Sequence, residues 1–134
     1  MFGQYMRPVP SASGEKVNWV NYKTGIKGIF FKMNVDNNQA LVSIEISPNE
    51  RSLQQRYFEM FLNFKKAFEK VAGKDWDMRS VFITEQGAEI SRISAELNGV
   101  NIFRESDWPE IISFLKKSII ALDAFWSEFG PAFE

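Results

Sequence analysis

Ile29-Phe30-Phe31-Lys32-Met33-Asn34-Val35 and Ala40-Leu41-Val42-Ser43-Ile44-Glu45-Ile46, separated by Asp36-Asn37-Asn38-Gln39, decide the fold. Ile29, Phe31, Met33 and Val35 recur at every second residue, as do Val42, Ile44 and Ile46, so each run reads as a strand with one apolar face. The Asp-Asn-Asn-Gln segment is turn chemistry. Pairing the runs across it sets Phe31 against Ile44 and Met33 against Val42, and the two apolar rows then meet. A slip of one residue would turn both rows to solvent, so the pattern itself specifies the register. The opposite face carries Phe30, Lys32, Ser43 and Glu45.

Downstream, Ser47-Pro48-Asn49-Glu50 reads as a helix start, with Ser47 as N-cap, Pro48 at the first helical position and Glu50 completing a capping box. Leu53, Tyr57, Met60, Phe61, Phe64, Phe68 and Val71 then recur at three- and four-residue steps, and Gly73 is the expected stop. An aromatic stripe could stack on a cofactor or a base, but core packing accounts for one this regular. Upstream, Lys16 to Tyr22 alternates as a short strand, turned by Thr24-Gly25. Residues 1–14 read as the truncated end of a helix, stopped by Pro8, followed by a loop.

The second half repeats the plan. Trp76 to Thr84 is a strand, Gln86-Gly87 turns it, and Glu89 to Leu97 returns. Asp107-Trp108-Pro109-Glu110 opens a second helix with Asp107 as N-cap. Its stripe is Ile112, Leu115, Ile119, Leu122, Trp126 and Phe129, widened by Phe114 and Phe125 and ended by Gly130-Pro131. The chain therefore reads as strand, hairpin and helix over 15–73, then hairpin and helix over 74–134, an internal structural repeat. We expect one α+β domain over 1–134, in ββ(β)α-ββα order. Its antiparallel sheet of four to five strands should carry both long helices on one face, because a half-apolar sheet offers one surface for both.

Composition narrows the chemistry. The chain has 134 residues, no Cys and no His, which excludes thiolate nucleophiles, thiolate metal sites and any Ser-His or Cys-His mechanism within it. An apolar share of 45% is enough to build a core without disulfides. Sixteen basic residues against 17 acidic ones leave a net charge of −1, so no global field attracts nucleic acid or an anionic membrane. No stretch approaches membrane-span length and the N-terminus lacks the regions of a signal peptide, so the expected location is the cytoplasm, with no membrane partner.

Phe2-Gly3-Gln4-Tyr5-Met6, Val17-Asn18-Trp19-Val20-Asn21-Tyr22-Lys23-Thr24-Gly25, Ile90-Ser91-Arg92-Ile93 and Asp107-Trp108-Pro109 together resemble the bacterial domain family of unknown function DUF4268. The resemblance runs over nearly the whole chain, and its motifs are structural, with no catalytic signature among them. In longer relatives a similar domain looks like the C-terminal piece of proteins whose N-terminal part resembles a restriction-type nuclease, a part this sequence does not contain. Relatives also carry more helix ahead of the Phe-Gly-Gln-Tyr segment. The resemblance implies a small accessory or stand-alone module associated with DNA-handling or defence nucleases.

The residues offer two kinds of site. A restriction-type nuclease needs an Asp, then an acidic residue and a Lys two positions apart on a neighbouring strand, to hold Mg²⁺ and activate water. Asp36 and Glu45 have the right chemistry, but Ser47 stands where the Lys should be, so this alternative is a degenerate metal-dependent nuclease or hydrolase. Asp75, Asp77, Glu85 and Glu89 read as solvated turn acids. Gly-rich phosphate loops are missing, and no cofactor is expected.

The other site is built on arginine. With the second turn centred on Gln86-Gly87, Val81 should oppose Arg92 and Ile83 should oppose Ile90, which puts Arg79 on the face of Arg92, one pair further along. Two guanidinium groups on a strand surface can hold a phosphate or carboxylate. They can equally pair with local acids such as Glu89 or Asp77, or lay their stems over aromatic rings. Arg79, Arg92 and Lys32 are the expected binding residues of a non-catalytic interaction module. Its candidate partners are another protein, a second copy of the chain, or nucleic acid.

Overall fold

The computed structural model describes Ser11, Trp19 and residues 22–134. Among these residues, four strands form the sheet: β1 (Ile29–Val35), β2 (Gln39–Ile46), β3 (Asp77–Ile83) and β4 (Glu89–Asn98). The helices are α1 (Arg51–Asn63), α2 (Lys65–Ala72) and α3 (Trp108–Phe129), with 3-10 turns at Glu105–Asp107 and Gly130–Phe133. The strand order is β1-β2-β4-β3, antiparallel throughout. Each hairpin contributes its second strand to the middle of the sheet, and among the described residues β1 and β3 are the edges.

The first hairpin adopts the register its apolar rows demand, with Phe31 opposite Ile44 and Met33 opposite Val42. The same face continues into β4 through Ile44↔Ile93 and Ile46↔Ser91. Helices α1 and α3 both lie on that face. Gln54 of α1 donates to the Ser91 hydroxyl at 3.2 Å, and Trp126 of α3 meets the Phe31 ring edge-on at 5.6 Å. The core between sheet and helices is largely aromatic. Phe61, Phe68 and Phe125 are fully buried, and Phe61 packs 4.8 Å from Phe133 while Phe68 meets Phe125 at 5.2 Å.

Two helix starts depart from the sequence reading. The first helix begins at Arg51 behind Glu50, with no side-chain cap, and Ser47 lies too far ahead of that start to cap it. The Ser47 N–H donates to the Gly28 carbonyl at 2.7 Å, which closes the β1–β2 ladder one step beyond the strands. Asp107 does occupy the N-cap position of α3, yet its carboxylate accepts the Asn101 N–H at 3.0 Å and pairs with Arg104 instead of capping. The expected single first helix is divided at Phe64, whose ring is held by Phe129 at 4.9 Å and by Phe125. Gly73, at φ +91°, ends α2 as expected, but Val71 lies on the exposed side of that helix.

The second hairpin also departs. Phe82 opposes Ile90 and Arg79 opposes Arg92, with a β-bulge at Ser80-Val81 between the two pairs. The Thr84–Ala88 loop causes part of the shift, since the Thr84 N–H bonds to the Ala88 carbonyl and the Gly87 N–H to the Thr84 carbonyl. The bulge absorbs the rest. The expected helix end at 1–6 lies outside the described residues, as does the strand expected from Lys16 to Tyr22 apart from Trp19 and Tyr22. Trp19 is buried, and Tyr22 stacks on Phe31 at 5.1 Å.

Candidate binding face

Among the described residues, no helix covers the second face of the sheet. Two cross-strand rows can be read directly from the pairing. The first is Phe30, Glu45, Arg92, Arg79, and the second is Lys32, Ser43, Ser94, Asp77, each running from β1 through β2 and β4 to β3. All three binding residues expected from the sequence, Lys32, Arg79 and Arg92, lie on this face. The bulge brings Arg79 directly opposite Arg92 rather than one pair further along.

The charges on the face are unevenly satisfied. Lys32 pairs with Glu45 at 3.2 Å, and Arg79 pairs with Asp77 at 2.6 Å. Glu89, the other acid considered for the arginines, is engaged by Arg51 of α1. Arg92 has no ion-pair partner among the described residues. Its guanidinium carbon sits 3.6 Å from the centre of the Phe82 ring, and its Nε is buried without a hydrogen-bond partner. Desolvation, followed by the neighbouring Arg79, lowers the Arg92 pKa, while Glu45, Asp77 and Glu96 oppose the shift. Arg92 remains cationic at neutral pH all the same. The result is a charged donor set held on an aromatic platform, near Glu45, Asp77 and Glu96 but with no direct ion pair among the described residues.

Phe30 supplies apolar area on the same face and is 45% exposed. At the centre, Ser43 and Ser94 oppose each other and are both buried, small residues between longer neighbours. Their pairing is a signal the sequence reading did not use. It would have been found by following the outer positions of both hairpins across the β2–β4 seam.

Asp36 and Glu45, the acids of the alternative reading, are not brought together. Asp36 lies in the β1–β2 turn, where its Oδ1 accepts the N–H groups of Asn38 and Gln39 at 2.8 and 2.9 Å, and those two bonds hold its pKa low. Glu45 pairs with Phe30, six residues along β1 from Asp36, or about 20 Å at the usual strand rise. Among the described residues no group of three or more His, Cys, Asp or Glu is placed to hold a metal ion. On the helix side, a groove of about 890 Å³ runs between α2 and α3 past Trp76 and Phe114. Its lining mixes Lys70, Lys116 and Lys117 with Glu69, Asp75 and Glu96, so no net charge selects a ligand there. Among the described residues no helix is long and apolar enough to cross a membrane.

No curated protein and no solved structure matches the chain. A family described as "Domain of unknown function (DUF4268)" matches residues 1–130. With that match spanning both hairpins and all three helices, the chain belongs to the DUF4268 family.

Proposed function

We propose that this domain is a non-catalytic interaction module that meets its partner through the open sheet face, with Arg92 as the anchor. The observation that carries this reading is the state of Arg92, a guanidinium stacked on Phe82, with no carboxylate paired to it among the described residues and a buried Nε without a hydrogen-bond partner. A buried donor without an acceptor costs about 1–3 kcal/mol. A partner does not reach the buried Nε, but an anionic group that it delivers would pair with the outer N–H groups of the same guanidinium. Arg79 and Lys32, already paired, frame the contact and set its polarity.

Charge balance favours a protein partner over nucleic acid. Lys32, Arg79 and Arg92 are matched on the face by Glu45, Asp77 and Glu96, leaving no net charge to gather phosphates. An association with DNA-handling or defence nucleases in a bacterial cytoplasm would then run through protein contact, in keeping with the longer relatives this domain resembles. A photocrosslinking residue in place of Phe30 should capture a protein in the host cell, and Arg92→Ala should remove the adduct without lowering thermal stability. The same residue in place of Glu128, on the exposed side of α3, should capture nothing. Adducts from position 128 with none from position 30 would overturn the reading.

A further inference from the structure

The two rows of the open face have a property that neither hairpin shows alone. Across the β2–β4 seam, the positions equidistant from it carry complementary chemistry. Glu45 on β2 is matched by Arg92 on β4, Lys32 on β1 by Asp77 on β3, Phe30 on β1 by Arg79 on β3, and Ser43 by Ser94. From this pattern, and resting on the reading of the face as the contact surface, we infer that the partner is a second copy of this chain. The two copies pack sheet to sheet about a two-fold axis that runs along the strands between β2 and β4.

The geometry follows from the symmetry. A two-fold axis along the strands, in the plane between the sheets, carries β1 over the second copy's β3 and β2 over its β4. Glu45 then stands over the second copy's Arg92, and Lys32 over its Asp77. Phe30 stands under the second copy's Arg79, a cation over a ring face. Each contact occurs twice, as an isologous interface requires. Ser43 and Ser94 lie next to the axis but are already covered by their longer neighbours, so the contacts fall on the charged and aromatic side chains around them, with the sheets at the usual spacing of about 10 Å. Aligned sheets cross at about 30° because each is twisted, an offset that Arg and Lys side chains can span.

The alternative axis, across the strands through the Ser43–Ser94 pair, places Lys32 over Lys32 and Asp77 over Asp77. Like charges juxtaposed in this way are unfavourable, so the charge pattern selects the axis along the strands. Arg92 explains why the pattern matters. Its own Glu45 lies beside it in the row and pairs with Lys32, and the symmetry brings a second acid, the second copy's Glu45, over the same guanidinium. Desolvation of these charges offsets much of their attraction, which makes the dimer reversible and salt-sensitive.

Charge exchange gives a decisive test by sedimentation equilibrium of the full chain. The wild type should dimerise in low salt and weaken by about tenfold or more when screening shortens the Debye length to a few ångströms. Arg92→Glu and Glu45→Arg should each be monomeric, since each sets like charges against each other at both symmetry-related contacts. Mixed in equal amounts, they should form a one-to-one heterodimer. The unaltered Glu45 of the first variant then meets the unaltered Arg92 of the second, and at the symmetry-related contact the two introduced side chains meet as an opposite pair. Lys32→Asp mixed with Asp77→Lys repeats the test should either first variant fail to fold. A wild type that stays monomeric at several hundred micromolar in low salt, or single variants that dimerise as the wild type does, would overturn the inference. If the wild type is monomeric but Phe30 crosslinks still depend on Arg92, the partner is a different protein and the interaction module stands. If those crosslinks are absent too, both readings fall.

Discussion

Arg79 and Arg92 face each other directly across the β3–β4 ladder, two cations in one cross-strand pair. Like charges directly opposite destabilise a sheet, and only Arg79 has an acid of its own. In the isolated chain, Arg92 therefore costs more than it returns. Replacing it removes a stacking contact worth about 0.5–1 kcal/mol but also a buried unsatisfied donor costing about 1–3 kcal/mol. Arg92→Leu, measured by urea unfolding at high salt and low protein concentration, should be neutral or stabilising by up to about 2 kcal/mol. A loss beyond about 1 kcal/mol would mean that Arg92 serves the fold rather than a partner.

Gly28 carries a second prediction. Its φ is +90°, and a Cβ there would come within 2.6 Å of the Pro48 backbone. The same residue accepts the Ser47 N–H that closes the first hairpin. Gly28→Ala thus combines backbone strain with a clash against main chain that cannot swing away, and should cost about 2 kcal/mol or more. Gly25 is the control, because its φ of +79° carries strain while nothing lies within 4 Å of its added Cβ. Gly25→Ala should cost clearly less, and equal losses at the two positions would refute the steric part of this account.

The closure of Ser47 and Pro48 over Gly28 also explains why the first helix start is ambiguous in the sequence. Ser, Pro and Glu at the right spacing form a convincing capping box, but a strand end closing over a glycine uses the same residues. Tertiary contact decides between them. The first hairpin was legible to the residue because two apolar rows and a polar turn all demand one register. The second was not, because Ser80-Val81 carries no glycine or other mark of a bulge, and Val81 and Ile83 keep a regular alternation although both are 57% exposed. Alternation reports a face, not whether anything covers it. The arginines were legible as candidates by residue type, but which of them kept an acid depended on the bulge and on Lys32 and Arg51 taking the neighbouring carboxylates.

Two phenylalanines separate stability from association. Phe61 is fully buried among Phe125, Trp126 and Phe133. Phe61→Ala should cost about 3–5 kcal/mol, enough to leave little of a small domain's stability. Phe30→Ala should change stability by no more than about 0.5 kcal/mol, since the ring is exposed on the open face. Its effect should fall on self-association instead. A Phe30→Ala protein that melts as wild type yet sediments as a monomer meets the prediction, and one that unfolds early contradicts it.

Alkaline stability follows from Tyr22 and Asp123. The Tyr22 hydroxyl donates to Asp123 Oδ1 at 2.6 Å, and the Ser11 hydroxyl reaches the same oxygen at 2.7 Å. Burial, then the hydrogen bond to Asp123, then that carboxylate's charge, all push the Tyr22 pKa far above its ordinary value. The native state therefore keeps the phenolic proton after an unfolded chain, with a pKa of about 10, has released it. With the folded pKa raised, the stabilisation is intact below about pH 10 and declines as pH rises from there through the folded pKa. Tyr22→Phe removes both the bond and the proton. The variant should be weaker near neutrality, and its stability should fall less steeply above about pH 10. Contributions common to both proteins cancel in the difference. Urea midpoints taken across the alkaline range measure the two slopes, and parallel declines would show that Tyr22 does not hold its proton in the fold.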